Sequence, residues 1–269
     1  MKRLYHFYYF FEIVYNSEMD EQAIGNFYIV ATPIGNMEDM TFRAVRILKE
    51  VDYIFAEDTR TTGNLLKKYE ISNVDLRGST KLRSYNAQNQ HVKNSEIIKL
   101  LKEGKNIALV SDAGTPGVSD PGYSAVSEVR KYFTSSLGGG QLGVIPIPGP
   151  SALTAFVSVL GVGTHAWTFY GFLPHKNGRQ KLLKQMLASE NSSIFYESTH
   201  RIEKCLKEII NLSRSLPEGE GFGVGIRNVA VGKELTKIHE SIMIGTSEEI
   251  LEIFKADPQK TKGEFVVMI

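Results

Sequence analysis

The sequence predicts an α/β fold with two α/β domains and mostly parallel sheets, on three observations. Apolar runs of strand length alternate with amphipathic segments, most of these runs end in a Gly- or Pro-rich turn, and a rigid elbow at Pro146–Pro150 divides the chain. Strands that alternate with helices are typical of parallel sheets with helical crossovers. The 42% of apolar and 23% of charged residues favour a packed core over disorder.

The amino-acid composition limits the classes of function that the protein can have. The 31 Lys and Arg nearly balance the 30 Asp and Glu among 269 residues, so any nucleic-acid surface must be local. The single cysteine, Cys205, excludes an internal disulfide framework and a cysteine-based metal site, which favours a reducing cytoplasm. The histidines are too scattered for metal-ligand spacing, so we expect no metal.

Residues 1–26 are interpreted as an N-terminal extension. Lys2-Arg3 and an aromatic run over 4–11 imitate a signal peptide, but the run contains His6 and no small-residue cleavage site follows. The run is also too short to span a bilayer. We therefore expect no membrane association, and Met19 is a candidate start.

Residues 27–147 are predicted to form the N-terminal α/β domain. Phe27–Thr32 is apolar on both faces, which is typical of a parallel strand between helices. Asp39 or Thr41 can cap the next helix, whose expected apolar stripe is Phe42, Val45, Leu48 and Val51. Further strands are predicted over 52–56, 81–85, 107–110 and 144–148, and helices around 65–69, over 94–102 and over 123–132.

Residues 148–269 repeat the pattern on a smaller scale as the C-terminal α/β domain. Strands are predicted over 166–172, 193–197, 222–231 and 264–269, and helices over 179–188, 199–212 and 247–255. The spacing Gly138-x-Gly140-x-x-Gly143 imitates a dinucleotide fingerprint, but it precedes a strand instead of following one. We interpret Gly138–Gly140 as a surface linker.

Five small turns fall at predicted strand ends, where ligands bind in open α/β sheets. They are mostly uncharged and would offer backbone groups, which suits a zwitterionic or cationic ligand with an adenine ring. Each turn alone is better explained as an ordinary loop, but the position of all five at strand ends favours a ligand site. The turns are Pro33–Asn36, Glu57–Arg60, Ser111–Gly122, Pro148–Ala152 and Phe172–Pro174.

A basic region lies between His165 and Arg214, where eight Lys or Arg face four acids. Such a patch beside a pocket would suit a phosphate backbone. Two solvated helix faces with i,i+4 pairs, such as Glu203–Lys207, explain the same charges equally well.

Seven motifs, in this order, resemble the tetrapyrrole methylase superfamily, and within it the branch that methylates 16S rRNA at a cytidine ribose 2′-oxygen. The resemblance covers residues 27–269. The motifs are Phe27–Asn36 (FYIVATPIGN), Ala56–Arg60 (AEDTR), Ser111–Gly122 (SDAGTPGVSDPG), Pro146–Ala152 (PIPGPSA), Tyr170–Pro174 (YGFLP), Tyr196–Arg201 (YESTHR) and Lys233–Lys237 (KELTK).

The resemblance implies two α/β domains with S-adenosylmethionine in the cleft between them, usually as a homodimer. The implied substrate is 16S rRNA or the small ribosomal subunit. Carried over by position, the cofactor-binding residues are Pro33, Asp112, Ala113, Gly114, Val118, Ser119, Ser151, Ala152 and Ala230.

A ribose hydroxyl is a weak nucleophile and would gain from a nearby base. Glu197 and Lys237 are the candidates, with Glu234 third. The alternatives are a salt bridge from Glu197 to Arg201 and a solvated strand end for Lys237. Asp112 and Asp120 are expected to shape the loop as turn and cap residues. The residues expected to hold RNA phosphates are Lys176, Arg179 and Arg201.

One motif departs from the family pattern. A His-Glu-His-Asn-Glu-like run is usual after Ser-Tyr, but here Ser84-Tyr85 is followed by Asn86–Gln90, which offers no base. Two alternatives to the rRNA enzyme stay open, and the second is motivated by this altered run. One is methylation of a tetrapyrrole or a protein residue, and the other is a non-catalytic protein that binds S-adenosylmethionine or RNA.

Overall fold

The first half of the chain forms a five-stranded parallel sheet in the computed structural model, which describes residues 24–72, 74, 81–136, 143–161, 166–214 and 228–269. The strand order is β3-β2-β4-β1-β5, and helices α1–α4 form the crossovers. The strands are β1 (Phe27–Val30), β2 (Tyr53–Ala56), β3 (Leu82–Ser84), β4 (Ile107–Val110) and β5 (Val144–Ile147); the helices are α1 (Phe42–Glu50), α2 (Thr59–Lys68), α3 (Gln90–Lys102) and α4 (Gly122–Ser136).

Both faces of this sheet are buried, as the apolar runs predict. Neighbouring residues of one strand enter opposite apolar clusters: Ile54 packs with α1 and α2, and Phe55 packs with α3 and α4. Thr41 caps α1 by accepting a hydrogen bond from the Ala44 amide at 3.1 Å. The expected stripe of α1 is wrong at its first position, because Phe42 is 97% exposed and the helix buries Ala44 and Ile47 instead.

The second half forms a mixed sheet of order β6-β7-β10-β8-β9. Only β6 and β7 pair in parallel, which differs from the expected mostly parallel arrangement. The short connection between β8 and β9 explains part of the difference, because adjacent hairpin strands must run antiparallel. The strands are β6 (Trp167–Phe172), β7 (Ser192–Ser198), β8 (Asn228–Lys233), β9 (Ser241–Thr246) and β10 (Glu264–Met268); the helices are α5 (Ala152–Val159), α6 (Arg179–Leu187), α7 (Ile202–Ser213) and α8 (Ser247–Ala256).

Helix α5 lies just beyond the Pro146–Pro150 elbow and packs with the second sheet. Leu153 and Phe156 share an apolar cluster with Ile194, Val266 and, from the loop after β1, Ile34. This packing supports a division at 147/148, which stays a prediction. The two halves therefore meet along α5 and the loop after β1.

Three predictions lie wholly or partly outside the described residues. They concern most of the extension 1–26, the linker Gly138–Gly140, and the first part of the strand predicted over 222–231, of which β8 is the described end. In the described part of the chain, no helix has the length and apolar character needed to cross a membrane.

Candidate functional site

A cavity of about 290 Å³ lies between the two sheets. The loops after β1, β2 and β4 contribute to it from the first half, beyond the carboxyl ends of their strands. Strands β6, β7 and β10 and the turn after β8 contribute from the second half. Its lining includes Ile34, Glu57, Ser111, Ala113, Gly114, Thr115, Val118, Ser119, Asp120, Ser151, Ala152, Phe172, Tyr196, Glu197, Glu234, Leu235, Lys237, Glu264, Phe265 and Val266.

The loop after β4 is fixed to the loop after β1. Gly114 and Thr32 exchange backbone hydrogen bonds of 2.9 and 3.0 Å, and the Thr32 hydroxyl donates to the Ser111 carbonyl at 3.1 Å. Thr115 Oγ1 donates to the Pro150 carbonyl at 3.1 Å, which ties the same loop to the elbow. Three predicted turns thus form one wall of the cavity.

Asp112 and Asp120 both shape this wall with their carboxylates, and Asp120 acts within the turn before α4, as expected for that residue. Asp120 Oδ1 accepts from the amides of Gly117 and Gly122 at 2.8 and 2.7 Å, at the start of α4. Asp112 Oδ1 accepts from the Asp58 amide at 2.9 Å and so links the loops after β4 and β2.

Ser119 is held in a strained backbone conformation at the cavity. Its φ is +68°, a value that residues other than glycine rarely adopt. Strand β6 approaches it closely, because a Cβ atom at Gly171 would lie 2.6 Å from Ser119 Oγ. Gly171 therefore leaves room for this serine, and the contact brings β6 against the loop after β4.

Six of the nine expected cofactor-binding residues line the cavity, and three do not. Pro33 and Asp112 line a neighbouring cavity that shares Ile34, Ala113 and Lys237 with the first. Ala230 is 3% exposed and packs in the apolar cluster around α5, so the placement argues against direct contact with a ligand. The six lining residues are Ala113, Gly114, Val118, Ser119, Ser151 and Ala152.

Glu197 reaches the cavity wall from β7, but its carboxylate belongs to a buried ion-pair network. Its side chain is fully buried, with Oε2 2.8 Å from Arg179 Nη2 and Oε1 2.7 Å from Arg201 Nε. The Ser198 amide also donates to Oε1 at 2.8 Å. The salt bridge to Arg201 that the sequence offered as an alternative is present, and two guanidinium groups flank the Glu197 carboxylate.

Arg179 is a core residue instead of a surface cation. Its side chain is 3% exposed, and Nε donates to Glu208 at 2.7 Å. Burial opposes its charge, but the hydrogen bond to Glu208 and the nearby carboxylate of Glu197 outweigh burial and raise the pKa of Arg179. The expected contact with an RNA phosphate is not supported, because the guanidinium is committed to two carboxylates.

Lys237 lies across the opening between the halves. Its Nζ is 3.0 Å from Glu234 Oε1 and 2.8 Å from Glu264 Oε2, and a Cβ at Gly35 would overlap its stem. Burial opposes its charge, but the two carboxylates outweigh burial and raise the pKa of Lys237. Lys237 is therefore a paired ammonium instead of a solvated strand end. A paired ammonium with a raised pKa already carries its proton, so Lys237 is poorly suited to act as a base.

The residues of the basic region fit different explanations: some belong to a solvated helix face, and others could form part of a phosphate-binding patch. On α7, Lys204 and Lys207 form the i,i+4 pairs of a solvated helix face, with Glu208 and Glu203. Arg201 is only 15% exposed and also donates to the Leu173 carbonyl at 3.0 Å. Lys176, in the loop after β6, is exposed and stays a candidate for an RNA contact.

Several cavity residues, among them Phe172, Tyr196 and Glu57, were not among the site residues predicted from the sequence. Phe172 is 55% exposed and packs on Tyr196, with ring centroids 5.3 Å apart. Glu57 lies at the end of β2, in one of the turns that the sequence indicated. The cavity is also more highly charged than those turns suggested, because side chains from the second half line it as well. No grouping of His, Cys, Asp and Glu that could hold a metal occurs among the described residues.

Comparison with known proteins finds similarity over most of the chain. The family model described as "Tetrapyrrole (Corrin/Porphyrin) Methylases" matches residues 26–251. Among curated relatives, the "Ribosomal RNA small subunit methyltransferase I" of Bacillus subtilis (strain 168) is 39% identical over 96% of this chain and 78% of the relative. The proteins of the same name from Escherichia coli O157:H7 and Thermotoga maritima are each 39% identical, over 93% and 91% of this chain and 79% and 98% of their own lengths.

Solved structures of two other methyltransferases share the fold. The cobalamin biosynthetic enzyme cobalt precorrin-4 methyltransferase aligns with a TM-score of 0.58, covering 90% of this chain and 94% of its own. Uroporphyrin III C-methyl transferase from Thermus thermophilus aligns with a TM-score of 0.56, covering 91% and 97%. Both are 16% identical to this chain, so the likeness concerns the fold alone.

Proposed function

The chain belongs to the tetrapyrrole methylase family, and from this premise we propose that it transfers a methyl group from S-adenosylmethionine to 16S rRNA of the small ribosomal subunit. The proposed acceptor is the 2′-oxygen of a cytidine ribose. The observation that carries the proposal is the 39% identity, over nearly the whole chain, to relatives named as small-subunit rRNA methyltransferases.

The cavity fits S-adenosylmethionine in its charge and its backbone. Five carboxylates but one ammonium, that of Lys237, are among its described lining residues, which favours a cationic ligand. Gly114, with φ of +79°, presents backbone without a side chain at the wall. When bound, this cofactor supplies a methyl group already activated on a sulfonium. The residues that would hold it are Ala113, Gly114, Val118, Ser119, Ser151 and Ala152.

The protein would also have to position the acceptor, the 2′-oxygen of the ribose. Because the donor is already activated, in-line placement of the ribose oxygen is the main contribution we expect from the chain. Phe172, exposed at the cavity, offers a face on which an unstacked base can lie, as in single-stranded RNA recognition. Lys176, four residues later, would contact a phosphate.

We further propose that the protein acts as a homodimer in the cytoplasm. The homodimer is the usual state of the family that the sequence resembles. The cytoplasm holds the ribosomal substrate, and it suits a chain with a single cysteine.

The test is transfer of labelled methyl from S-adenosylmethionine to small subunits isolated from cells that lack this protein. We expect label in 16S rRNA and in neither ribosomal protein nor an added tetrapyrrole. Label in one of those acceptors instead would favour another substrate class. Measurable cofactor binding without any transfer would favour a non-catalytic binding protein.

A further inference from the structure

Glu57 occupies a distinctive place in the cavity. It directly follows buried Ala56 at the carboxyl end of β2 and precedes α2, so the sheet positions it at the cavity edge. Its side chain is half-buried and lines the cavity beside Gly114 and Ser119 of the loop after β4. Glu57 therefore faces the wall where we place the cofactor.

The other charged side chains that line the cavity already form ion pairs or hydrogen bonds within the protein. Two arginines hold Glu197, and Lys237 lies between Glu234 and Glu264. Asp120 accepts two backbone amides at one oxygen.

Glu57 differs from all of these groups. Among the described residues no cation lies within 4.0 Å of its carboxylate, and the nearby Arg60 pairs with Asp58 instead. The backbone amide of Asp112 interacts with the Glu57 carboxylate. Glu57 is therefore the carboxylate of this cavity that is most free to accept a proton.

The surroundings of Glu57 favour its protonated form. Burial, followed by repulsion from Asp112 and Asp120, raises its pKa above the ordinary 4.5, against a smaller opposing effect of the Asp112 amide. Asp58 and Arg60 lie on its own element, and Glu197, Glu234, Glu264 and Lys237 lie across the cavity. A carboxylate with a raised pKa is a stronger base, and such groups occur preferentially at functional sites.

We propose that Glu57 is the general base that accepts the proton of the ribose 2′-hydroxyl during methyl transfer. This assignment rests on the proposed function. The ribose oxygen forms a bond to the methyl carbon while the carbon–sulfur bond breaks, and its electron pair stays on sulfur, which becomes a neutral thioether. The hydroxyl proton goes to the Glu57 carboxylate, and solvent removes it afterwards.

The decisive variant is Glu57→Gln, which keeps the shape of the side chain and removes the base. We expect kcat to fall by about 10²- to 10⁴-fold, the usual contribution of a general base. The calorimetric affinity for S-adenosylmethionine should change little, because the other four carboxylates of the cavity remain. In the wild-type protein kcat should rise with pH through the raised pKa of Glu57 and then level off, and this rise should be absent from the variant.

Asp58→Asn is the matched control. It removes the neighbouring carboxylate, and asparagine can still accept the Arg60 amide that Asp58 accepts at 2.8 Å at the start of α2. Its kcat should stay close to that of the wild-type protein.

A melting curve adds a readout that does not depend on activity. Because the pKa of Glu57 is raised in the folded protein, stability is lost as the pH rises above the ordinary 4.5, and the loss is complete above the raised pKa. Glu57→Gln should therefore melt higher than wild type at pH 8, and the difference should vanish below pH 4.5, where Glu57 is protonated in both folded and unfolded states.

Each outcome either supports the assignment or overturns it. An active Glu57→Gln variant overturns the assignment and leaves the proposed function intact. A large loss of cofactor affinity with unchanged kcat also overturns it, and makes Glu57 a cofactor ligand. If the wild-type protein transfers no methyl group to the subunit, the proposed function fails and the assignment fails with it.

Discussion

Removal of the Arg179 guanidinium tests whether this residue stabilises the core or contacts RNA. Arg179→Met keeps much of the side-chain volume but leaves the fully buried carboxylate of Glu197 with Arg201 alone. Breaking a buried pair on one side costs about 3–5 kcal/mol. The lower end applies because Glu197 keeps one arginine and Glu208 keeps Lys204 nearby. A loss of about 3 kcal/mol corresponds to a decrease of about 6 °C in Tm for a chain of this size.

The assay is denaturant unfolding followed by circular dichroism, with a melting curve beside it. Lys204→Met is the control, because Lys204 pairs with the same Glu208 at 3.8 Å but its side chain is 66% exposed. An exposed pair of this kind contributes less than about 1 kcal/mol. Wild-type stability in Arg179→Met, together with weaker RNA binding, would refute the structural role and restore the RNA contact expected from the sequence.

Three further variants test the placement of cofactor and RNA. Gly114→Arg should abolish calorimetric binding of S-adenosylmethionine, because a side chain there is strained at φ of +79° and a long arginine would occupy space in the cavity that Gly114 lines; unchanged affinity would refute the placement. Phe172→Ala should raise the KM for small subunits about 10-fold without changing cofactor affinity, as expected for loss of one stacked base; an unchanged KM would exclude the stacking face. Lys176→Ala should lower the slope of RNA affinity against salt by about one, whereas the exposed Lys131→Ala on α4 should not; equal slopes would exclude the phosphate contact.

Local patterns in the sequence were enough to predict most of the fold. The apolar run at Ile107–Val110 predicts β4 at the bounds that the structure has, because a strand buried on both faces carries no polar residue. Strand β9 was missed because its Ser241–Thr246 segment is half-buried and weakly patterned. The stripe of α1 was misplaced because Phe42 fits the helical period but lies on the exposed face, which only tertiary packing decides.

The cofactor wall was predictable in outline, but the charged groups were not. Gly and Pro mark the turns after β1 and β4, so residues such as Gly114 could be identified from their types and spacing. The partners of Glu197, by contrast, come from α6 and from the turn before α7, and local spacing indicated only Arg201. That Glu57 has no cation partner among the described residues becomes evident only from the positions of the charged side chains around the cavity.

The most direct test of the proposed function is nucleoside mass mapping of 16S rRNA from cells with and without this protein. The proposal predicts that one cytidine loses a single methyl group from its ribose when the protein is absent, and that the wild-type gene restores it while Gly114→Arg does not. Identical 16S rRNA modification in both strains, or a lost methyl group on a base instead of a ribose, would contradict the proposal.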